Sequence, residues 1–317
     1  MPLEPHLSGG DPRVTEQRNP RSADIDLGTP LQIVDIMNAE DRLVADAVAT
    51  QREQIARAIE LVEAAFRGGG RLFYVGAGTS GRLGILDASE CPPTFGSDPG
   101  LVQGIIAGGE RAVFRSQEGA EDHPEGGAAA VDERGVTSAD VVVGIAASGS
   151  TPFVRGALAR AGELGARTAM VVCTPLDPGF AAGVDVVITA VPGPEVVTGS
   201  TRLKAGTATK MILNMITTGA MIRVGKTYGN LMIDLKATNL KLKDRSERIM
   251  MEVCGLTREQ ARELLAQAEG SVKRAIVMQR LGVAPAEADL ALARGGGVIR
   301  RIAGGPPTSL PPVSGRP

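Results

Sequence analysis

The sequence predicts an α/β chain: a three-layer αβα domain on a five-stranded parallel sheet, with helices before it and a small helical block after it. Three observations predict this. Five short apolar runs, Arg71 to Val75, Val102 to Ala107, Val141 to Ala146, Thr168 to Cys173 and Asp185 to Ala190, follow one another along the chain. They are continuous rather than alternating, as strands buried on both faces must be. Helical patterns separate them, which is what parallel neighbours need to connect.

The elements follow in order. Residues 1–28 are polar and rich in proline, glycine and charge, and are expected to be flexible. From Leu31 to Ala65 the apolar residues Ile33, Ile36, Val44, Ala47, Val48, Ile55, Ile59 and Val62 recur at helical spacing, predicting two helices that end at Gly68-Gly69-Gly70. The sheet runs follow. After Pro194 the pattern is mostly helical. Lys204 to Val224 is one long amphipathic segment whose stripe, Met211, Leu213, Met215, Ile216 and Met221, reads as packing rather than as a cofactor contact. Thr257 is placed to cap Arg258-Glu259-Gln260, and a further helix is expected from Ser271 to Leu281. The expected organisation is thus a flexible 1–28, a main domain at 29–254, a helical subdomain at 255–302 and a flexible tail at 303–317.

Composition narrows the function. Thirty-four basic against 36 acidic residues leave a net charge of -2, so no bulk field favours nucleic acid or an anionic membrane. Three widely spaced cysteines and two histidines, without a Cys-x-x-Cys pair, argue against a zinc site or a disulfide framework. No apolar run approaches a membrane span and no signal-peptide pattern opens the chain, so the expected location is cytoplasmic, with no membrane partner. The absence of tryptophan gives no stacking platform for nucleic acid.

Two hydroxyl-rich loops carry the chemistry. Gly76-Ala77-Gly78-Thr79-Ser80-Gly81 follows the first strand and opens a helix. Its glycine spacing fits a dinucleotide fingerprint, but the second strand runs into Gly108-Gly109 where that fold wants a ribose-binding acid. Ala147-Ser148-Gly149-Ser150-Thr151 follows the third strand, with Thr151-Pro152 resembling a cap and a first-turn proline. Helix N-termini expose unpaired N–H groups, and adjacent hydroxyls donate to phosphate oxygens. Gly78, Thr79, Ser80, Ser148, Ser150 and Thr151 are therefore the candidate binders of a small phosphorylated ligand; ordinary turns and caps would explain either loop taken alone. Neither loop holds the lysine of a nucleotide-triphosphate P-loop.

Four stretches resemble a known family: Gly76 to Gly84, Asp87-Ala88-Ser89-Glu90-Cys91-Pro92-Pro93-Thr94, Glu118-Gly119-Ala120-Glu121-Asp122 and Gly199 to Ala208. Together they are similar to the N-acetylmuramic acid 6-phosphate etherases, over about residues 28–302. The resemblance implies a sugar isomerase (SIS) fold, a homodimer with its site near the subunit interface, a sugar-phosphate substrate, no metal or other cofactor, and recycling of cell-wall sugar. One departure is Ser150, where many members would carry arginine. The same domain in the glucokinase regulatory protein binds sugar phosphate without catalysis, and other SIS enzymes isomerise aldoses and ketoses, so a regulator and an isomerase are the competing readings.

Etherase chemistry removes lactate from C3 of a sugar whose open-chain aldehyde acidifies the C2 proton. A base takes that proton, an acid assists the departing oxygen, and water then adds back. The resemblance places the acid on Glu90 and the base on Glu121. The residues alone would leave Glu121 a solvated acidic turn beside Glu118, Asp122 and Glu125. Its neighbour His123 has no partner nameable from sequence, and Cys91 has no activating histidine. Glu195 and Lys204, with Arg202, are candidate substrate contacts, ordinary loop or helix-start charges being the competing reading.

Overall fold

The computed structural model describes residues 13–234 and 240–306 of the 317-residue chain. The chain divides into two compact units, residues 1–89 with 99–217, and 90–98 with 218–317.

In the first unit, helices α1 (Pro30–Ala49) and α2 (Arg52–Arg67) precede a five-stranded parallel sheet of β1 (Leu72–Gly76), β2 (Val102–Ile106), β3 (Val141–Ile145), β4 (Arg167–Val172) and β5 (Val186–Thr189). Between the strands lie α3 (Gly78–Phe95), α4 (Arg111–Phe114), α5 (Pro124–Glu133), α6 (Pro152–Glu163) and α7 (Pro178–Ala181); α8 (Lys204–Arg223) follows the sheet. Strand order is β2-β1-β3-β4-β5. All five residues of β1 and of β3 are buried, which is why their sequences read as unbroken apolar runs. Phe73 and Val75 join Val131, Phe153, Val154 and Leu158 in one core beside α5 and α6. Tyr74 points to the opposite face, where a Cβ added to Gly84 of α3 would fall 2.8 Å from its own Cβ. The turn between α1 and α2 is tied to β5 by Thr189 N donating to Gln51 Oε1 at 2.9 Å.

From Arg13 the stretch expected to be flexible folds into this unit as three 3-10 turns, with Thr15, Asn19 and Ser22 buried. Composition missed them because their buried groups are polar and bonded to distant backbone: Ser22 Oγ donates to Val196 O at 2.9 Å, and Asn19 Nδ2 to Pro194 O at 3.1 Å.

The second unit takes in Glu90–Asp98 and the chain from Thr218 on. It holds the two-stranded hairpin β6 (Thr227–Tyr228) and β7 (Leu231–Met232) and the helices α9 (Leu240–Cys254), α10 (Arg258–Gln267), α11 (Val272–Leu281), α12 (Pro285–Arg294) and α13 (Arg300–Ala303). Its core gathers Tyr228, Ile233, Met250, Val253, Leu265 and Ile276. Thr257 caps α10 in a capping box with Gln260, as its position predicted, and Ser271 caps α11. The expected tail lies outside the described residues from 307 on. Among the described residues no helix is long and apolar enough to cross a membrane.

Candidate active site

The two hydroxyl-rich loops leave adjacent strands, with Gly76 of β1 level with Ile145 of β3. From β1 the chain turns to β2 on one side, and β3 lies on the other, so the loops flank the point where the winding reverses. That crevice, at the carboxyl ends of the strands, is where open α/β sheets bind ligands.

The first loop needs glycine at its closure. A Cβ on Gly76 would fall 2.6 Å from the Gly81 amide nitrogen, so the helix starts in contact with the strand end. The first helical hydrogen bond runs from Gly81 N to Ala77 O at 3.3 Å, which leaves the amides of Gly78, Thr79 and Ser80 ahead of it without intrahelical acceptors. Thr79 and Ser80 are half-buried, and among the described residues their hydroxyls make no hydrogen bond. The stretch Gly199 to Ala208 meets this loop: a Cβ on Gly206, in the first turn of α8, would sit 3.7 Å from Thr79 Cγ2.

The second loop turns at Gly149, whose φ of +70° suits glycine and whose N–H donates to Ala146 O at 2.9 Å. Ser148 Oγ and Ser150 Oγ are 2.8 Å apart, so the loop pairs two hydroxyls. Arg155 braces the loop, donating to Gly149 O at 3.0 Å while its guanidinium lies 4.4 Å over the Phe180 ring. Pro152 opens α6 as expected, but Thr151 does not cap it. Its half-buried hydroxyl, and the amides of Phe153 and Val154, are left to meet other groups.

Beside the first loop lies a cleft of about 250 Å³, its lining including Gly78, Arg82, Gln117, Glu118 and Glu121. Glu121 sits exposed on the 3-10 turn Ala120–Asp122, entered through Gly119 at φ +74°. Ala120 packs against the sheet core and anchors that turn. The structure thus brings together Gly78 and Glu121. His123, also exposed, has Nδ1 3.2 Å from Glu125 Oε1, giving it a partner that sequence did not name.

Glu90 is exposed on the last third of α3 and belongs to the second unit. Two residues beyond it the helix carries Pro92 and Pro93, which supply no N–H to the carbonyls one turn back, Ala88 and Ser89. One turn before it, Asp87 is buried, accepting from Tyr74 OH at 3.0 Å and Asn214 Nδ2 at 2.6 Å, with burial pushing its carboxyl up. These bonds fasten α3 to β1 and α8. Cys173 is buried against Ala205 O and its thiol is pushed up to about 12 by desolvation, so it stays protonated and unreactive near neutrality.

Glu195 and Lys204 face the chain's own groups. The Glu195 carboxylate accepts from the amides of Lys204 at 3.0 Å and Ala205 at 2.9 Å, capping α8. Lys204 has a fully buried side chain whose Nζ reaches Glu40 Oε2 at 2.5 Å and Pro192 O at 3.1 Å. Glu40 also accepts from Asn19 Nδ2 at 2.8 Å and from Arg21 Nε. Sequence reasoning missed this network, although one signal was present: Glu40 stands at four-residue spacing with Val44 and Val48, a charge on the buried stripe of α1.

Residues 54–162 match the glucokinase regulatory protein N-terminal SIS domain. Together with the parallel sheet and its two hydroxyl-rich loops, that match defines the chain as an SIS-domain protein. The chain belongs to the N-acetylmuramic acid 6-phosphate etherase family. It is 52% identical to the etherase of Synechococcus elongatus over 94% of its own length and 97% of that protein's. It is also 52% identical to the etherase of Gloeobacter violaceus, over 100% and 99% of the two chains. A phosphoheptose isomerase structure from Neisseria gonorrhoeae is similar at 19% identity and TM-score 0.44, covering 62% of this chain and 98% of that one.

Proposed function

We propose that the chain cleaves the lactyl ether of N-acetylmuramic acid 6-phosphate, releasing D-lactate and N-acetylglucosamine 6-phosphate in cell-wall sugar recycling. Identity of 52% over nearly the whole length of named etherases carries the reading, and the cleft shared by Gly78 and Glu121 supports its chemistry.

The 6-phosphate lies on the amides and hydroxyls of Gly78, Thr79 and Ser80, with Ser148, Ser150 and Thr151 opposite. Charge-assisted N–H bonds to an anion at a helix N-terminus hold it without a basic side chain. The sugar opens to its aldehyde. Glu121 removes the C2 proton, the electron pair forms the C2–C3 double bond, and the C3–oxygen bond breaks as Glu90 protonates the departing lactate. Water then adds to C3 and a proton returns to C2, so that one water is consumed for each lactate released. Glu195 and Lys204 serve this site by fixing the start of α8 beside Thr79.

The proposal includes a homodimer with the site near the subunit interface. Leu27, Leu31 and Val34 support it: they are 80%, 70% and 52% exposed around the N-terminal end of α1, an apolar strip that a second copy would cover. It also includes a cytoplasmic location, since a charged sugar phosphate does not cross an apolar bilayer unaided and must be met inside. Incubation with N-acetylmuramic acid 6-phosphate and enzymatic detection of lactate tests the activity. One lactate per N-acetylglucosamine 6-phosphate is expected. Ligand-dependent binding with no lactate would make the chain a regulator, and a ketose product an isomerase.

A further inference from the structure

Among the described residues Arg82 is the one cation on the lining of the cleft that holds Gly78 and Glu121, and the proposed reaction leaves it without a task. It stands four residues after Gly78, one helical turn along α3, so the two share a face of that helix. Its guanidinium is half-buried and forked: Nε donates to Val113 O at 2.8 Å and Nη2 to Ala112 O at 2.7 Å. Both carbonyls belong to the last turn of the four-residue helix α4, where the intrahelical ladder has run out and acceptors need outside donors. A cation at a helix C-terminus also meets the negative end of the backbone dipoles.

We propose that Arg82 is a positioning residue for the Glu121 carboxylate, clamping the cleft wall that carries Glu121 to the same helix whose first turn receives the phosphate. The inference rests on the assignment of Glu121 as base.

The wall runs from Ala112 to Glu121 and is held at its start, middle and end. Arg82 holds its start. Its middle folds over the end of β2, where a Cβ on Gly108 would fall 2.8 Å from Gln117 Cβ. Its end is seated by Ala120 in the sheet core. The Arg82 fork ties the wall to α3, the helix whose first turn receives the phosphate, so it fixes the distance from that turn to the base, and with it the reach to C2. A planar fork can bridge two successive carbonyls; a lysine ammonium, a single point on a flexible stem, cannot hold both in one plane. Misplacement of a catalytic group by about 1 Å costs on the order of 100-fold in rate. Loss of the fork should therefore appear in turnover while phosphate binding, which uses the amides of Gly78 to Ser80, persists.

The test is steady-state lactate release by the full-length chain and its Arg82→Lys and Arg82→Met variants, with folding followed by circular dichroism. Binding of N-acetylglucosamine 6-phosphate is followed by calorimetry. The expected result is a fall in kcat of roughly 10- to 100-fold for Arg82→Lys, with KM within about 3-fold of wild type. Arg82→Met should lose more, and added methylguanidinium should restore part of its kcat without accelerating wild type. A kcat within about 3-fold of wild type in both variants would overturn the proposal, as would a higher KM at unchanged kcat or no rescue of a natively folded Arg82→Met. Wild type and Glu121→Gln run alongside: active Glu121→Gln refutes the base assignment, whereas inactive Glu121→Gln with active Arg82 variants refutes only the clamp.

Discussion

Lys204 Nζ and Glu40 Oε2 lie 2.5 Å apart in a pair whose side chains are 0% and 2% exposed, joining α8 to α1 across 164 residues of sequence. Removing one partner strands the other in a medium that solvates it poorly. Lys204→Met is expected to lower the unfolding free energy by about 3 kcal/mol, measured by urea denaturation. An unchanged midpoint would show that Arg21 and Asn19 satisfy Glu40 alone.

The same pair makes stability depend on acid. Burial pushes the Glu40 carboxyl up, but hydrogen bonds from Arg21, Lys204 and Asn19 outweigh it and bring it from 4.5 down to about 2. Because the folded value lies below the unfolded one, this contribution is complete above about pH 4.5 and is lost as pH falls toward 2. Glu40 should account for about 3 kcal/mol of that loss. Unfolding measured between pH 6 and pH 3 should fall more steeply in wild type than in Glu40→Gln; equal slopes would contradict it.

Gly81 closes the first loop. An added Cβ would lie 2.6 Å from Ile106 Cγ1 and 2.9 Å from Gly76 O. Gly81→Ala is expected to cost about 1 to 3 kcal/mol of stability and to raise KM for the sugar phosphate, because the helix start must shift away from the strand end. Thermal unfolding and a KM determination check this together.

Glu90→Gln and Glu121→Gln should each lower lactate release by roughly 10²- to 10⁴-fold while still binding N-acetylglucosamine 6-phosphate. Solvent deuterium separates their roles. If Glu121 is the base, Glu121→Gln loses exchange at C2, whereas Glu90→Gln keeps it because proton removal precedes departure of lactate. The opposite pattern would reverse the two assignments.

The sheet was legible because β1 and β3 are buried on both faces, so Leu72 to Val75 and Val141 to Ile145 read as apolar without interruption. The loops were legible because glycine and hydroxyl residues cluster where those strands end. What stayed hidden depends on partners far away in sequence. Lys204 read as a candidate substrate contact or a helix-start charge, because its partner Glu40 is 164 residues distant. Asn19 and Ser22 sit in a stretch whose composition predicts flexibility, yet both are held by the backbone of residues 194 and 196. Thr151 fits a cap by position, but its side chain makes no capping bond. Glu121 was named by resemblance, and only the folded chain sets it on one cleft with Gly78.

The most direct test is turnover of N-acetylmuramic acid 6-phosphate in ¹⁸O-labelled water, with both products read by mass spectrometry. Elimination followed by hydration leaves the ether oxygen in lactate and takes a new oxygen from solvent. One ¹⁸O at C3 of N-acetylglucosamine 6-phosphate, apart from the C1 oxygen that exchanges through the aldehyde hydrate, and none in lactate is expected. Label in the lactate, or no lactate from natively folded protein, would contradict elimination at this site.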